Sequence, residues 1–258
     1  MKNLSKKIVL ITGASSGFGR AIAYKLAERG CNLIITARRL DRLIEIAKDI
    51  TSKFPVEVLP MQLDVRNHSE VKNLVASLPP NWKKIEILIN NAGLSRGLNK
   101  IQDGVLEDWD EMIDTNVKGL LYVTKEVLPL MMKNESGHIV NIGSIAGHEV
   151  YPGGNVYCAS KHAVDALTKG MRIDLLGTPI KVTTIDPGLA HTEFSIVRFR
   201  GDKQKADDVY KGLEPLVAED IADAVDYAVT RDDRVNIAEI IIFPKAQGSS
   251  MHTYKEDV

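Results

Sequence analysis

The chain of 258 residues is long enough for one large domain with a single hydrophobic core. Its formal net charge is −1, with acidic and basic residues interspersed, which argues against a surface that binds nucleic acid or anionic membranes. No apolar run is long enough to span a bilayer, and Met1–Lys7 carries no signal-peptide segment. The two cysteines, Cys31 and Cys158, lack metal-ligand spacing, so we expect buried thiols in a cytoplasmic protein.

Short apolar segments alternate with amphipathic segments along the chain. The predicted strands are Lys7–Thr12, Asn32–Thr36, Val56–Leu59, Ile85–Asn90, His138–Ile142, Ile180–Ile185 and Glu239–Phe243. The predicted helices are Phe18–Arg29, Leu40–Lys53, Ser69–Leu78, Asp108–Lys133 and Asn155–Leu176. Several strands are apolar on both faces, as in a parallel sheet that helices cover on both sides. We therefore predict an α/β, Rossmann-type, doubly wound parallel sheet of about seven strands in a single domain, residues 1–258.

One segment interrupts this alternation. Glu193–Leu213 mixes charged and aromatic residues between the sixth strand and the helix that follows it. Insertions at the carboxyl end of such a sheet are where substrate lids occur, so we predict a lid near residues 189–214. Pro244–Val258 is a tail that has no clear pattern.

A glycine-rich loop, Thr12–Gly19, joins the first strand to the first helix with the spacing G-x-x-x-G-x-G. Glycines let backbone amides approach a pyrophosphate, and the helix N-terminus adds positive potential there. Such loops also serve as plain turns, but the position between strand and helix favours a dinucleotide site. The predicted cofactor contacts in this loop are Gly13, Ser15, Ser16, Gly17, Phe18 and Gly19.

Arg38 and Arg39 follow the second strand, where NAD-binding folds commonly carry an acid for the ribose hydroxyl. Two guanidinium groups and no carboxylate favour a 2′-phosphate, and therefore NADP as the cofactor. The alternative is that both arginines are solvated on a helix surface.

Further candidate cofactor contacts follow other strands. Asp64, next to Val65, could accept a hydrogen bond from the adenine amino group or cap the next helix. Asn90-Asn91-Ala92-Gly93 would let the backbone lie against the ribose, or would form a simple turn. Pro187-Gly188-Leu189 bends the chain where the nicotinamide should lie. Thr192 could hold the carboxamide or a phosphate oxygen, or cap the lid helix.

Tyr157 and Lys161 lie four residues apart in a predicted helix, so both side chains leave the same face. An ammonium one turn away stabilises a phenolate and lowers its pKa toward the working range, so Tyr157 is a candidate acid–base catalyst. Ser144, after the fifth strand, can donate a hydrogen bond to a substrate oxygen. Taken alone, the motif occurs often by chance and more commonly means a surface tyrosine and a solvated lysine.

Together, these ordered motifs resemble the short-chain dehydrogenase/reductase family over nearly the full chain. The resemblance implies that Ser144 orients the carbonyl or alcohol, that Tyr157 transfers the proton, and that Lys161 binds the ribose and tunes Tyr157. It also implies that Asn116 supports a water-linked proton relay to Lys161. Members of the family usually form tetramers through the long fourth and sixth helices, so we expect a homotetramer.

A narrower resemblance, to the NADP-dependent 3-hydroxy acid dehydrogenases, is carried by Asn141–Ser144, Gly153–Tyr157, Pro187–Ser195 and Val197–Gly201. It implies a small-molecule substrate such as serine, allo-threonine, or 3-hydroxypropionate with malonic semialdehyde. Sulfoacetaldehyde reductases and 3-oxoacyl carrier-protein reductases share much of the pattern and remain alternatives. A non-catalytic NADP sensor is a further alternative, although such a protein could lose the serine, tyrosine or lysine that this chain retains.

A 3-hydroxy acid needs an anion site beyond the reacting carbon. Arg198 in the predicted lid is the first candidate, with Arg200 and Arg96 as others, because the guanidinium fork can hold a carboxylate with two hydrogen bonds. His148 and His191 flank the site on loops without metal-ligand spacing, and we predict no metal.

Overall fold

A computed structural model describes residues 2–255. Its seven strands form one parallel sheet in the order β3-β2-β1-β4-β5-β6-β7. The strands are β1 Ile8–Thr12, β2 Asn32–Ala37, β3 Val58–Gln62, β4 Ile85–Asn90, β5 Gly137–Ile142, β6 Ile180–Pro187 and β7 Glu239–Ile242. The strand order reverses between β1 and β4, which creates a crevice at their carboxyl ends. The predicted Rossmann-type α/β fold is confirmed.

The helices pack on both faces of this sheet. They are α1 Gly17–Glu28, α2 Leu40–Lys53, α3 His68–Ser77, α4 Leu106–Ile113, α5 Leu120–Met131, α6 Asn155–Asp174, α7 Glu193–Arg198, α8 Lys203–Asp208 and α9 Ala218–Val229. In the part of the chain that the structure describes, no helix has both the length and the apolar character needed to cross a membrane.

Alternate residues of β1 enter two separate hydrophobic cores. Val9 and Ile11 face the core formed with α1, α2 and α9, whereas Ile8 and Leu10 face the core formed with α3 and α5. Successive strand residues point to opposite faces, so an uninterrupted apolar run is what a doubly covered strand requires.

The predicted helix Asp108–Lys133 is a continuous helical segment in the structure, but it is not α-helical throughout. The structure ends α4 at Ile113, continues in a π-helical segment, Asp114–Gly119, and resumes as α5. A β-carbon on Gly119 would lie 2.7 Å from the Val65 side chain, so the wider segment needs glycine where it packs against the end of β3. π-Helical segments inside helices are frequent at functional sites.

β3 begins two residues later than predicted and includes Pro60. It lies at the edge of the sheet, where a residue without an N–H group is tolerated. The ends of the other predicted strands, and of the other predicted helices, agree with the structure to within two residues.

The predicted lid segment forms α7 and α8, and the chain then enters α9. The tail that follows β7 is ordered at least as far as Lys255 and folds back to the carboxyl edge of the sheet. Gln247 is buried there, and its Oε1 accepts a hydrogen bond of 2.7 Å from the Leu189 backbone N–H.

Candidate active site

Two adjoining cavities lie at the carboxyl edge of the sheet. The first, about 160 Å³, is lined by Gly13, Gly17 and Lys161 among others, and we call it the glycine-loop cavity. The second, about 240 Å³, is lined by Ser144, Arg198 and apolar side chains, and we call it the Arg198 cavity. Both cavities share the residues Phe18, Gly143, Tyr157, Thr192 and Phe194.

Ser144 lies where β5 ends and a short 3₁₀ turn begins. Its Oγ accepts a hydrogen bond of 3.1 Å from the Ala146 N–H and lies 3.4 Å from the Pro187 carbonyl oxygen, to which it donates. Tyr157, in the first turn of α6, is 8% exposed and lines the same cavity as Ser144. The serine and the tyrosine therefore meet as the sequence predicted.

The electrostatics of Tyr157 differ from the prediction of an unusually acidic phenol. Burial raises the pKa of Tyr157 and the nearby Tyr151 raises it further, while Arg198 and the Ser144 hydroxyl oppose both. Lys161 Nζ lies 6.0 Å from the centre of the tyrosine ring. In the protein alone, removal of the phenol from water therefore outweighs its positive neighbours.

Lys161 is buried one turn further along α6. Its Nζ donates a hydrogen bond of 2.9 Å to the Ile142 carbonyl oxygen, which directs the ammonium toward the glycine-loop cavity. Burial lowers the pKa of Lys161 to about 8, and the negative charge of Asp186 opposes that decrease.

Asn116 lies in the π-helical segment and is buried. Its side chain exchanges hydrogen bonds of 2.9 Å with the backbone N–H and carbonyl of Leu94, and its Nδ2 donates 3.0 Å to the Ser160 hydroxyl. A β-carbon on Gly93 would lie 3.3 Å from Asn116 Oδ1 and 3.7 Å from Lys161 Nζ, which places both side chains beside this glycine. The segment thus brings Asn116 to the lysine, as the proposed relay requires.

The glycine-rich loop is tied to the end of β4. Asn91 Nδ2 donates to the Thr12 and Gly13 carbonyl oxygens at 2.8 and 3.2 Å, and a β-carbon on Gly19 would lie 2.4 Å from that nitrogen. Gly13 has a φ of +67°, which favours glycine. Ala92 and Gly93 line the cavity beside the loop, whereas Asn90 points into the core.

The two arginines predicted to bind a 2′-phosphate, Arg38 and Arg39, have different surroundings. Arg39 donates to the hydroxyls of Ser15 and Ser16 at 3.0 and 2.9 Å, so it borders the loop as expected. Arg38 is half exposed and lies 3.7 Å from the Glu111 carboxylate. The sequence interpretation missed Arg42, one helical turn after Arg39, whose proximity the three-residue spacing could have indicated.

Asp64 does not cap the next helix, because Asn67 caps α3. Its carboxylate instead pairs with Arg66, whose Nε lies 2.9 Å from Oδ1. Val65 beside it is buried.

Pro187, Gly188 and Leu189 line the Arg198 cavity. A β-carbon on Gly188 would lie 2.3 Å from Gln247 Oε1, so glycine permits the tail to approach. Thr192 caps α7, because its hydroxyl accepts a hydrogen bond of 3.2 Å from the Phe194 N–H. It also borders both cavities.

Of the three candidate arginines, only Arg198 lines the larger cavity. It stacks on the rings of Phe194 and Tyr157 at 5.0 and 5.3 Å, and its terminal nitrogen donates 3.0 Å to the Tyr151 hydroxyl. Within residues 2–255, its buried Nε has no hydrogen-bond partner. A guanidinium with an unused donor beside an open cavity is suited to an anionic ligand.

The other two candidate arginines, Arg96 and Arg200, form ion pairs outside the Arg198 cavity. Arg96 Nε lies 2.6 Å from the Glu111 carboxylate, and one of its terminal nitrogens donates 2.6 Å to the Val197 carbonyl oxygen. Arg200 is largely exposed and pairs with Asp108.

The sequence spacing did not indicate one cluster of side chains, which is formed by His148, the buried Asp186 and Glu239. His148 Nε2 lies 3.2 Å from Asp186 Oδ2 and 3.1 Å from Glu239 Oε1. The other oxygen of Asp186 accepts from the Ser144 backbone N–H at 3.0 Å. The cluster therefore contacts the serine turn from behind.

Known proteins resemble the chain over almost its entire length. The sequence profile described as short chain dehydrogenase matches residues 7–202. An NADP-dependent 3-hydroxy acid dehydrogenase of Schizosaccharomyces pombe is 46% identical, with 99% of each chain covered. Sulfoacetaldehyde reductase 2 of Chromohalobacter salexigens is 43% identical, with 97% of this chain and 99% of that protein covered.

Among solved structures, the closed form of a serine dehydrogenase complexed with NADP⁺ superposes with a TM-score of 0.90 at 43% identity. The match covers 97% of this chain and all of the other chain. With the fold, the profile match and these identities in agreement, the chain belongs to the short-chain dehydrogenase family.

Proposed function

We propose that the chain is an NADP-dependent oxidoreductase that interconverts a small 3-hydroxy acid and the corresponding carbonyl compound. The observation that carries this proposal is the convergence of Ser144, Tyr157 and Lys161 where a glycine loop of the phosphate-binding type meets the Arg198 cavity, which one guanidinium group lines. The named relatives act in the same reaction class.

The residues around the glycine loop fit NADP. The first turn of α1 carries no acidic residue that would repel a pyrophosphate, so its N–H groups can donate hydrogen bonds to one. Arg39 lies against the loop serines and can reach a 2′-phosphate. NADP, when bound, supplies the hydride acceptor or donor.

The chain's own residues would manage the proton and the orientation. Tyr157 would remove the hydroxyl proton in the oxidative direction and return it in the reductive direction, while Ser144 holds the substrate oxygen. Lys161 would hold the ribose, and Asn116 would support a water-linked proton relay to Lys161. The positive charge of the oxidised nicotinamide would offset the raised pKa that burial gives Tyr157.

Replacement of Tyr157 by Phe tests the catalytic assignment. The variant should bind NADP normally but lose activity by about 10²-fold or more, because general acid–base catalysis contributes that much. Binding is measured by fluorescence titration and turnover by the absorbance of the reduced nicotinamide. Tyr122→Phe, on α5, is the matched control and should behave as the unaltered protein does. Near-normal turnover in Tyr157→Phe would refute the assignment.

The expected substrate class follows from the charge that lines the Arg198 cavity. Arg198 is the single charged side chain among the described residues that line it. A carboxylate one carbon beyond the reacting centre would find the positive charge of the Arg198 guanidinium, whereas the α-ammonium group of serine would find no acidic partner among the described lining residues. We therefore expect 3-hydroxypropionate to be used more efficiently than serine.

Replacement of Arg198 by Leu tests the anion site. The KM for 3-hydroxypropionate and for serine should rise by about 10- to 100-fold, since a charge-assisted hydrogen bond contributes about 1.5–3 kcal/mol, while the KM for an uncharged alcohol should change little. Arg200→Leu removes a neighbouring guanidinium that pairs with Asp108 and serves as the control. Equal effects on charged and uncharged substrates would contradict this role.

Sulfoacetaldehyde is the second candidate substrate, because Arg198 could hold a sulfonate in the same way and one relative is a sulfoacetaldehyde reductase. A comparison of kcat/KM for sulfoacetaldehyde and malonic semialdehyde distinguishes the two.

We also propose a homotetramer. Leu121 and Met132, on and just after α5, and Ile173 and Leu176, on and just after α6, are exposed apolar side chains. Their burial between subunits would remove this apolar surface from water. Sedimentation should give a mass four times that of one chain, and a monomer would contradict the proposal.

The compartment that we propose is the cytoplasm. Cys31 and Cys158 are both buried free thiols, a state that a reducing compartment preserves.

A further inference from the structure

The first residue of the lid helix connects the lid to the arginines near the glycine loop. Glu193 begins α7, and its two carboxylate oxygens are divided between two guanidinium groups. Oε2 lies 3.1 Å from a terminal nitrogen of Arg39, and Oε1 lies 2.8 Å from a terminal nitrogen of Arg42.

This carboxylate binds the same arginines that the proposed function assigns to a 2′-phosphate. Arg39 donates through Nε and one terminal nitrogen to the hydroxyls of Ser15 and Ser16, and through its other terminal nitrogen to Glu193, so the same guanidinium contacts both the glycine loop and the lid helix. Glu193 itself lines the glycine-loop cavity. A phosphate that approached the same two arginines would meet a negative charge already bound there.

Glu193 is an anion in this arrangement. Partial burial raises the pKa of its carboxyl, but the hydrogen bonds from Arg42 and Arg39 outweigh burial and hold the pKa below its ordinary value. A neutral carboxylic acid that could share the arginines with a phosphate is therefore not available near neutral pH. Either the two anions repel each other across the arginines, or the carboxylate leaves.

The opposite end of α7 carries the proposed substrate contact. The helix has six residues, from Glu193 to Arg198, a span of about 9 Å. Phe194 in its first turn stacks on both Tyr157 and Arg198. A displacement of Glu193 is therefore transmitted along one short rigid element to the residues that line the Arg198 cavity.

We propose that Glu193 is a specificity-determining latch: it holds the lid helix against Arg39 and Arg42, and a 2′-phosphate, which NAD lacks, displaces it. The inference rests on the proposed function, since it requires NADP to bind at these arginines. NADP would release the N-terminal end of α7 as it binds, whereas NAD would bind beside an intact latch. The free energy needed to break the ion pairs of Glu193 then lowers the net affinity for the 2′-phosphate.

Glu193→Gln tests the latch, because the amide keeps the size of the side chain and removes its charge. The Kd for NADP, and for the fragment 2′,5′-ADP, should fall by about threefold to tenfold, because ion pairs of this exposure contribute that range. The Kd for NAD and for 5′-AMP should stay within about twofold of the unaltered protein. Glu214→Gln, which removes an exposed carboxylate that forms no ion pair among residues 2–255, is the charge-matched control and should change neither.

A second measurement does not depend on the variant. In the unaltered protein, 2′,5′-ADP should increase hydrogen exchange in a peptide that covers residues 193–199, whereas 5′-AMP should not. Unchanged or weaker NADP affinity in Glu193→Gln, or equal exchange with both fragments, would overturn the latch. If the unaltered protein bound neither NADP nor NAD, the proposed function would fail instead, so the two failures are distinguishable.

Discussion

At the scale of single residues, Asp186 is the side chain that connects most of the proposed catalytic group. It is 1% exposed, and its Oδ1 accepts hydrogen bonds from the Ser144 N–H and the Thr184 hydroxyl at 3.0 and 2.9 Å. A β-carbon on Gly143 would lie 1.8 Å from that same oxygen, so the carboxylate needs glycine in front of it. Its charge also raises the pKa of Lys161 against the effect of burial. Asp186 thus contacts the serine turn directly and reaches the lysine through space.

Asp186→Asn separates these two effects, because the amide oxygen can still accept both hydrogen bonds while the charge is lost. The pKa of Lys161, already lowered to about 8, should fall further, so that the ammonium loses its proton at lower pH. In the pH profile of carbonyl reduction, the alkaline decline should therefore begin about one pH unit lower than in the unaltered protein.

Asp165→Asn is the control, since Asp165 lies on the same helix as Lys161 but pairs with Lys169, four residues further along that helix. It should leave the profile in place. A reduced rate with an unshifted alkaline limb in Asp186→Asn would mean that Asp186 acts through the serine turn alone. The titratable groups near the lysine are Tyr157, on the same helix, and Asp186, on β6. His148 contacts the second oxygen of Asp186, and Glu239 contacts His148.

At the scale of helices and strands, the local sequence pattern predicted those elements whose position depends on the residues of the element itself. The strands of the sheet and α2 could be placed from apolar runs and helix stops because burial on both faces leaves a continuous signal. The π-helical segment within the helix predicted over Asp108–Lys133 could not be placed, because the local pattern carries no signal for it; there Gly119 packs against Val65, which lies 54 positions away in the sequence. The same long-range packing brings Asn116 to the lysine.

In the candidate site too, local sequence patterns predicted some features, whereas contacts between distant segments determine others. The glycine loop and the Tyr-x-x-x-Lys motif are local spacings, and the structure brings Gly13, Tyr157 and Lys161 to one edge of the sheet. The partners of Arg39 and the approach of Gln247 to Leu189 depend on segments far apart in sequence, so no local pattern indicated them. The pKa of Tyr157 was mispredicted for a related reason: burial depends on the whole fold, whereas a neighbouring ammonium is visible from spacing.

At the scale of the whole molecule, the two edges of the sheet have different roles. The carboxyl edge carries the proposed site. The amino edge carries His138 on β5, which is buried and has its Nε2 2.7 Å from the Thr183 hydroxyl. Burial, with a smaller contribution from the positive charges of Lys181 and Lys2, lowers the pKa of His138 to about 3. This edge should therefore determine how the fold responds to acid.

His138 should make the folded chain less stable as the pH falls. The unfolded chain takes up a proton at this residue below its ordinary pKa of about 6.5, whereas the folded chain does not until about 3, so protonation favours unfolding. The stability that the neutral imidazole contributes is fully present above pH 6.5 and decreases below it, by about 2 kcal/mol at pH 5.

His138→Gln should remove this part of the pH dependence even if it lowers stability at pH 7. Urea unfolding at pH 7 and pH 5, at one protein concentration, measures the difference, and the exposed His252→Gln should retain the full slope. If His138→Gln and the unaltered protein lost equal stability between these pH values, the buried imidazole would not be the acid-sensitive group.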